Sequence, residues 1–358
     1  MKLLKTKWDR RTDVPLDLPC RNKEQMMLPI SFYATERHYL EHLAPVALEL
    51  LRREPTLLKK VYVQKGLGGL AASLGLPGEE TRARIGPLPD GGPVIVSASG
   101  DARIAANWVR PIVLMEHGCG ISYQGVSNPS YSGGGRTRHG VSLFLFPNEI
   151  SASKERSSGS TGEVEVVGCP KMDMYFRDPP RPKNKKPVIV VSAHFDCHVC
   201  PEARTAFFFY EDYIRQIGGI AEVRGHYHPR IRRALAPRFR ARGIQTVDTF
   251  SEVMESADLY VVDNSSTLYE FAATGRPVVA LNCPLYRKDI NHGIRFWDHI
   301  PGLQCDSPGE LVGTVREALE DPEGASQARG AATDAVFTFT DGGSAERAVN
   351  RILKWRES

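Results

Sequence analysis

The stretch Asp263-Asn264-Ser265-Ser266-Thr267-Leu268-Tyr269-Glu270-Phe271-Ala272-Ala273-Thr274-Gly275-Arg276-Pro277-Val278-Val279-Ala280 decides how this chain is read. One apolar run, Ala257–Val262, leads into it and a second, Pro277–Leu281, leads out. Each has the length and composition of a strand buried on both faces. The small polar residues between them announce a short helix, and Gly275 stops it. The first N–H groups of a helix have no partner inside it, and the helix dipole favours negative charge there. Ser265 and Ser266 add two hydroxyl donors at the same spot. The unit is suited to a phosphate or diphosphate. One turn later, Glu270 comes within reach of a pair of ribose hydroxyls.

Working outward, short apolar runs alternate with helix-like stretches almost throughout, the signature of parallel sheets covered by helices. Upstream the strand candidates are Ile30–Ala34, Val61–Gln64, Pro93–Ala98, Pro111–Met115 and Val141–Phe146. Glu36–Arg53 carries Leu40, Leu43, Val46, Leu48 and Leu51 near a helical period. A second series comprises Val188–Ser192, Ile220–Arg224, Gln245–Val247, Leu259–Val262 and Pro277–Leu281. Between the series lies Arg177–Lys186, whose prolines and charges cannot build a core and read as an interdomain linker.

The 358 residues suit two domains rather than one small core. A hydrophobic content of 41% and a charged content of 25% are those of an ordinary globular protein, and a net charge of +4 names no partner by itself. Met1-Lys2-Leu3-Leu4-Lys5 is too poor in apolar residues for a signal peptide, and no run approaches a membrane span. Seven cysteines, an odd number scattered over a long chain, fit reduced thiols in a cytoplasmic compartment.

The Asp263–Pro277 segment resembles the donor-binding motif of the CDP-glycerol glycerophosphotransferase family. That motif runs Asp-x-Ser-Ser, three residues, an acidic residue, Phe-Ala, then Gly-Arg-Pro. Asp263, Ser265, Ser266, Glu270 (Glu for the usual Asp), Phe271, Ala272, Gly275, Arg276 and Pro277 match it. His117-Gly118, at the end of Pro111–Met115, matches the family's Trp-His-Gly, whose histidine is the proposed general base. Here Glu116 replaces the Trp, and Cys119–Gly125 lacks the lysine that follows in the family. Gly168-Cys169-Pro170-Lys171-Met172-Asp173 keeps Gly168, Pro170 and Asp173 of Gly-Tyr-Pro-Arg-x-Asp, with Lys171 for the Arg and Cys169 for the aromatic. We read this element chiefly as hinge architecture in which Asp173 is able to cap a helix, with contact to the donor as the alternative. His228-Pro229 resembles the family's His-Pro element, which is thought to hold donor phosphate. The resemblance is specific from about His117 to Pro301 and weak before that.

Other features have plainer readings. Gly66-Leu67-Gly68-Gly69-Leu70-Ala71 formally fits a dinucleotide fingerprint, but no acidic residue ends a following strand at the right distance, so a tight strand–helix turn is expected. Arg230, Arg232, Arg233, Arg238, Arg240 and Arg242 form a basic helix, read as a solvated face, with a polyanion-binding role as the alternative. Cys197-His198-Val199-Cys200 lacks the second ligand pair of a structural zinc site and reads as thiols in a loop. Ser192 and Phe195 stand where the family places a donor-side loop. Ser127–Gly140 and Ser151–Gly162 read as loops, the first a candidate lid over an acceptor. No Asp-x-Asp pair occurs anywhere.

The resemblance implies an α/β protein of GT-B architecture, two Rossmann-like domains facing across a cleft. Residues 1–176 would be the acceptor domain and 177–186 the linker. Residues 187–325 would bind the nucleotide donor, and 326–358 would form a helical segment packing back on the first domain. The expected activity is metal-independent transfer of a glycosyl or glycerol-phosphate group to a hydroxyl, with no cofactor. The donor would be a nucleotide diphosphate such as a UDP-sugar or CDP-glycerol. His117 would be the base, and Gly118, Ser192, His228, Ser265, Ser266 and Glu270 the donor-binding set. The acceptor would be a cell-envelope polymer such as teichoic acid, a small molecule, or a hydroxylated base in DNA. The expected location is cytoplasmic, with peripheral attachment at a membrane surface as an option. Rival readings are a UDP-sugar 2-epimerase or hydrolase on the same fold, and a non-catalytic nucleic-acid-binding protein with a metal site at Cys197 and Cys200.

Overall fold

The computed structural model describes residues 23–358 except 82–90, 109, 120, 125–137, 139, 158–159, 197–203, 289–292 and 296; of 23, 121–124, 293–295 and 297 it describes the backbone alone. The strands are β1 (Ile30–Ala34), β2 (Leu58–Gln64), β3 (Gly78–Thr81), β4 (Val94–Val96), β5 (Ile112–Met115), β6 (Ile121–Gln124), β7 (Val141–Phe146) and β8 (Glu163–Val166) in the first half. The second half adds β9 (Val188–Ala193), β10 (Glu222–Tyr227), β11 (Gln245–Thr246), β12 (Leu259–Val262), β13 (Val278–Leu281), β14 (Gly293–Arg295) and β15 (Leu303–Cys305).

They form two parallel sheets, ordered β3-β2-β1-β4-β5-β7-β8 and β11-β10-β9-β12-β13-β15. The apolar runs become central strands: β1, β5, β9, β12 and β13 are buried at every position. Helices on both faces leave such strands no solvated side, so they carry no polar alternation. In each sheet the chain doubles back between two neighbours, β1 and β4 in one, β9 and β12 in the other. At such a switch point the strand ends diverge and leave a crevice at the carboxyl side, where open α/β sheets bind ligands. An antiparallel pair, β6 with β14, joins a segment of the first half to one of the second.

Each sheet has apolar cores on its two faces. The helix Arg37–Arg53 lays Leu40, Leu43, Ala47 and Leu50 on the first sheet. The final helix, Ser344–Glu357, joins that same core through Ala348, Val349, Ile352 and Trp355. The helix before it, Glu323–Val336, packs instead with the second sheet through Ala332 and Val336. The chain thus crosses back after leaving the second half.

Asp173 holds that return. Its carboxylate accepts from the amides of Ser344 (3.0 Å) and Ala345 (2.7 Å), capping the final helix from 171 residues upstream. Gly168 sits beside it at φ +93, where a Cβ would collide with the Ser344 hydroxyl. A left-handed backbone in contact with another helix leaves room only for glycine.

The glycine turn at 66–69 is closed to dinucleotides. Glu80 Oε1 accepts from the amides of Gly66 and Gly68, each at 3.0 Å, and so occupies the donors a pyrophosphate would need. Among the described residues no helix is long and apolar enough to cross a membrane.

Asp173→Ala leaves two helix amides without an acceptor in a buried place. Charge-assisted bonds of this kind are worth about 1.5–3 kcal/mol. Denaturant titration of the variant is expected to show a loss of about 2 kcal/mol; a midpoint equal to that of the parent protein rules out the cap.

Candidate active site

The two switch points face a common cleft of about 560 Å³. His117 stands two residues past the end of β5, in the turn that carries Gly118. Its Nδ1 lies 2.5 Å from the Ser97 carbonyl. A carbonyl can only accept, so Nδ1 carries the proton and Nε2 keeps its lone pair. Burial lowers the His117 pKa, against the opposing effects of Glu116 and of the bond to Ser97. The ring is therefore a neutral base at neutral pH, and Tyr39 packs edge-on against it at 4.7 Å.

Glu116, in the place of the aromatic residue in the resembling motif, enters a buried charge cluster. Its Oε2 accepts from Arg138 Nη2 at 2.6 Å, and Arg138 Nη1 reaches Glu155 Oε2 at 2.6 Å. Arg138 Nε donates to Ser99 Oγ at 3.1 Å. Glu116 Oε1 remains 3.9 Å from His117 Nδ1. Lys154, pushed down to about 8 by burial, lines the same wall.

On the opposite wall, Asp263 proves architectural. Fully buried, it accepts from the His194 amide (2.7 Å), Thr205 Oγ1 (2.8 Å) and the Ala206 amide (3.0 Å), tying the segments around the end of β9 to the end of β12. Ser265 Oγ accepts from Thr267 Oγ1 at 2.8 Å at the start of the helix Thr267–Ala272. Ser266 Oγ faces the His117 turn: a Cβ on Gly118, whose φ is +86, would stand 3.0 Å from it. Here the two halves meet in van der Waals contact.

His228, at the end of β10, has the opposite proton placement to His117. Its Nδ1 accepts from the Arg230 amide at 3.2 Å, so the neutral ring carries its proton on Nε2. It is a donor where His117 is an acceptor. Burial, then His194, His38 and Arg230, hold its pKa well below the usual value. Ser192 Oγ lies 2.7 Å from His226 Nδ1.

His117, Gly118, Ser192, His228, Ser265 and Ser266 all line the cleft. Glu270 does not. It is fully buried, and its Oε2 accepts from Lys171 Nζ at 2.7 Å, while Oε1 lies 3.8 Å from His42 Nε2. The first turn of its helix points into the seam between the halves, so the side chain presented to the cleft at this level is Lys171. Burial lowers the Lys171 pKa, but the charge of Glu270, that of Glu41 and the hydrogen bond to Glu270 together outweigh it, and the net shift is upward.

Sequence reasoning missed His38, His42 and Tyr39, which come to the cleft from the helix Arg37–Arg53. Their spacing reads only as one end of an amphipathic helix. It also missed that Arg230 crosses the cleft, donating through Nε to Glu36 Oε1 at 2.8 Å with its guanidinium over the Phe195 ring at 5.0 Å. Arg232, Arg238 and Arg242 of the basic helix pair with Asp248, Glu211 and Asp212 respectively. Cys197, Cys200 and nearly all of Ser127–Gly140 lie outside the described residues. Among those described, Cys119, Cys169, Cys283 and Cys305 are buried free thiols, and no group of three or more His, Cys, Asp or Glu is placed to hold a metal ion.

Glu116→Gln removes a carboxylate that raises the His117 pKa. Histidine NMR titration is expected to show His117 titrating at lower pH in the variant; an unchanged or higher value contradicts the assigned geometry.

Residues 208–354 match the profile of the family described as CDP-glycerol:poly(glycerophosphate) glycerophosphotransferase. No curated protein matches the chain. Among solved structures, the wall teichoic acid polymerase TagF is 13% identical over 92% of this chain and 89% of its own, with a TM-score of 0.61. A UDP-N-acetylglucosamine 2-epimerase is 14% identical, with coverages of 92% and 96% and a TM-score of 0.60. S. aureus MnaA, solved with UDP, is 16% identical, with coverages of 92% and 97% and a TM-score of 0.61. At these identities the likeness establishes the fold. The chain is a GT-B protein of two Rossmann-like halves, and its residues 208–354 carry the likeness to the glycerophosphotransferase family that the motifs indicated.

Proposed function

We propose that this protein transfers a glycosyl or glycerol-phosphate group from a nucleotide-diphosphate donor to an acceptor hydroxyl, with His117 as the general base. The observation that carries the reading is the pair of opposite tautomers across one cleft. His117 offers a lone pair from the first half, and His228 offers an N–H from the second. One accepts a proton, and the other donates to an anion without needing a charge.

The donor's diphosphate lies against Ser265, Ser266 and His228, and Gly118 and Ser192 line the space around it. Glu270 acts as a positioning residue, holding the Lys171 ammonium at the cleft. The acceptor O–H gives its proton to His117 Nε2 as its oxygen attacks. With a sugar donor the C1–O bond breaks and a nucleoside diphosphate leaves. With CDP-glycerol the P–O bond between the phosphates breaks and a nucleoside monophosphate leaves. Fixed donors meet the charge on the leaving group, so a chelator is expected to leave the rate unchanged.

The carboxylates lining the cleft favour a transferase over an epimerase or hydrolase that needs acidic catalysts. Glu41 is held by Arg37, Glu116 and Glu155 by Arg138, and Asp248 by Arg232.

His117→Ala is expected to lower turnover by about 10²–10⁴-fold, the usual worth of a positioned base, while the dissociation constant of the donor stays within about twofold. Calorimetry and product assay with CDP-glycerol and UDP-sugars decide this: weakened donor binding with turnover intact refutes the base assignment. Replacing Ser265 and Ser266 together by Ala is expected to weaken CDP or UDP by at least about tenfold and leave cytidine or uridine unaffected. Equal losses for nucleotide and nucleoside refute the phosphate assignment.

A further inference from the structure

His38 belongs to none of the motifs, yet its ring lies between the two histidines on which the proposed reaction rests. Ring centroids are 5.7 Å from His117 and 4.9 Å from His228. Its Nδ1 is buried and has no hydrogen-bond partner; Glu36 Oε2 is 3.6 Å away. Glu36 is already engaged by Arg230, which also reaches Tyr39 Oη at 3.3 Å. Around His38 stand Glu36 and His42 from its own helix region, His117 from the end of β5, and Lys171 from the seam. The second half adds His228 and Arg230 from the end of β10, with His194 5.4 Å beyond His228. Apart from Glu36, these groups are cationic or able to become so.

Such a cluster is unfavourable to protonate while empty and favourable once an anion enters. Burial first, then His117, Arg230, His42 and Lys171, hold His38 well below the usual histidine pKa. A diphosphate between the walls reverses the sign of the local field, as an opposite charge within about 4–6 Å favours the charged ring. A ring that gains its proton on binding makes affinity rise as pH falls, by up to about tenfold per unit for each proton taken up.

We propose that His38 completes an anion clamp across the cleft with His228 and Arg230, gripping the donor's diphosphate in its protonated form. This rests on the reading of the cleft as a nucleotide-diphosphate site. It adds a residue from the acceptor half to the donor site, and it makes donor binding take up a proton.

The test is calorimetry of the whole protein with CDP-glycerol and with UDP-glucose, whose diphosphates do not titrate near neutrality. Titrations in Pipes, Hepes and Tris at pH 7 give the protons taken up from the slope of heat against buffer ionisation enthalpy. The wild-type protein is expected to take up about 0.5–1 proton and to bind more tightly at pH 6.5 than at pH 8.5. His38→Asn is expected to remove most of the uptake and to weaken binding about 5–10-fold at pH 6.5 but less than about twofold at pH 8.5. His38→Arg, charged at every pH, is expected to retain tight binding at pH 8.5 without uptake. The uptake is read on the unmodified protein and does not depend on either variant folding. Binding without uptake, or uptake unchanged in His38→Asn, overturns the clamp alone. Failure to bind either donor overturns the reading of the cleft and the clamp with it.

Discussion

Main-chain groups at strand ends decide which nitrogen of each key histidine carries its proton, and the chemistry of the cleft follows from that constraint. The Ser97 carbonyl, just beyond β4, fixes His117 as an acceptor, and the Arg230 amide fixes His228 as a donor. Neither partner is a side chain, so neither assignment depends on rotamer choice or on a nearby titration. The first depends on the register of the paired strands β4 and β5, which two-faced burial holds firmly, and the second on the turn that follows β10. The strand ends and the turns that follow them therefore do more than bring the two walls together: they leave a lone pair on one ring and an N–H on the other.

The seam between the halves is held by charge as well as by apolar packing. Lys171 and Asp173 lie two residues apart and face different parts of the molecule. Lys171 reaches Glu270 in the helix Thr267–Ala272, and Asp173 caps the returning helix. Buried ion pairs add little net stability, because desolvation offsets most of their attraction, but breaking one leaves a lone charge at a cost of about 3–5 kcal/mol. Their contribution is to fix geometry. A displacement of residues 171–173 would be felt at Glu270, at the returning helix, and at Ser344 beside Gly168.

Much of this was legible in the sequence, for physical reasons. Central strands such as β1, β7 and β12 announced themselves to the residue, because strands covered on both faces are continuous apolar runs. The edge strand β3, Gly-Glu-Glu-Thr, and the short β15 escaped, since neither presents a fully buried run. The motif serines and both assigned histidines line one cleft, because each stands just past the carboxyl end of a central strand; the apolar runs placed β5 and β12 closely, whereas β10 runs to Tyr227, three residues past the expected Ile220–Arg224. Glu270 lies buried away from the cleft; its spacing gives the correct helix turn but not what lies opposite. Lys171 and His42 approach it from 99 and 228 residues away in sequence. His38 was invisible for the same reason, in a part of the chain where resemblance is weakest. The basic helix read correctly as a mainly solvated face, but its first arginine crosses the cleft, a fact of domain placement that no local pattern carries.

The electrostatics of the cleft point one way once the ion pairs are counted. Its carboxylates are spent on arginines, and its histidines are kept neutral by burial and by one another. What remains for a ligand is a set of N–H and hydroxyl donors beside cations partly balanced within the protein. A neutral ligand would gain only ordinary hydrogen bonds there. A ligand carrying two negative charges gains charge-assisted ones, worth roughly twice as much, in a place from which water is partly excluded. Glu116 fits the same logic. By binding Arg138 it keeps a carboxylate close enough to tune His117 without leaving that carboxylate free to repel an incoming anion.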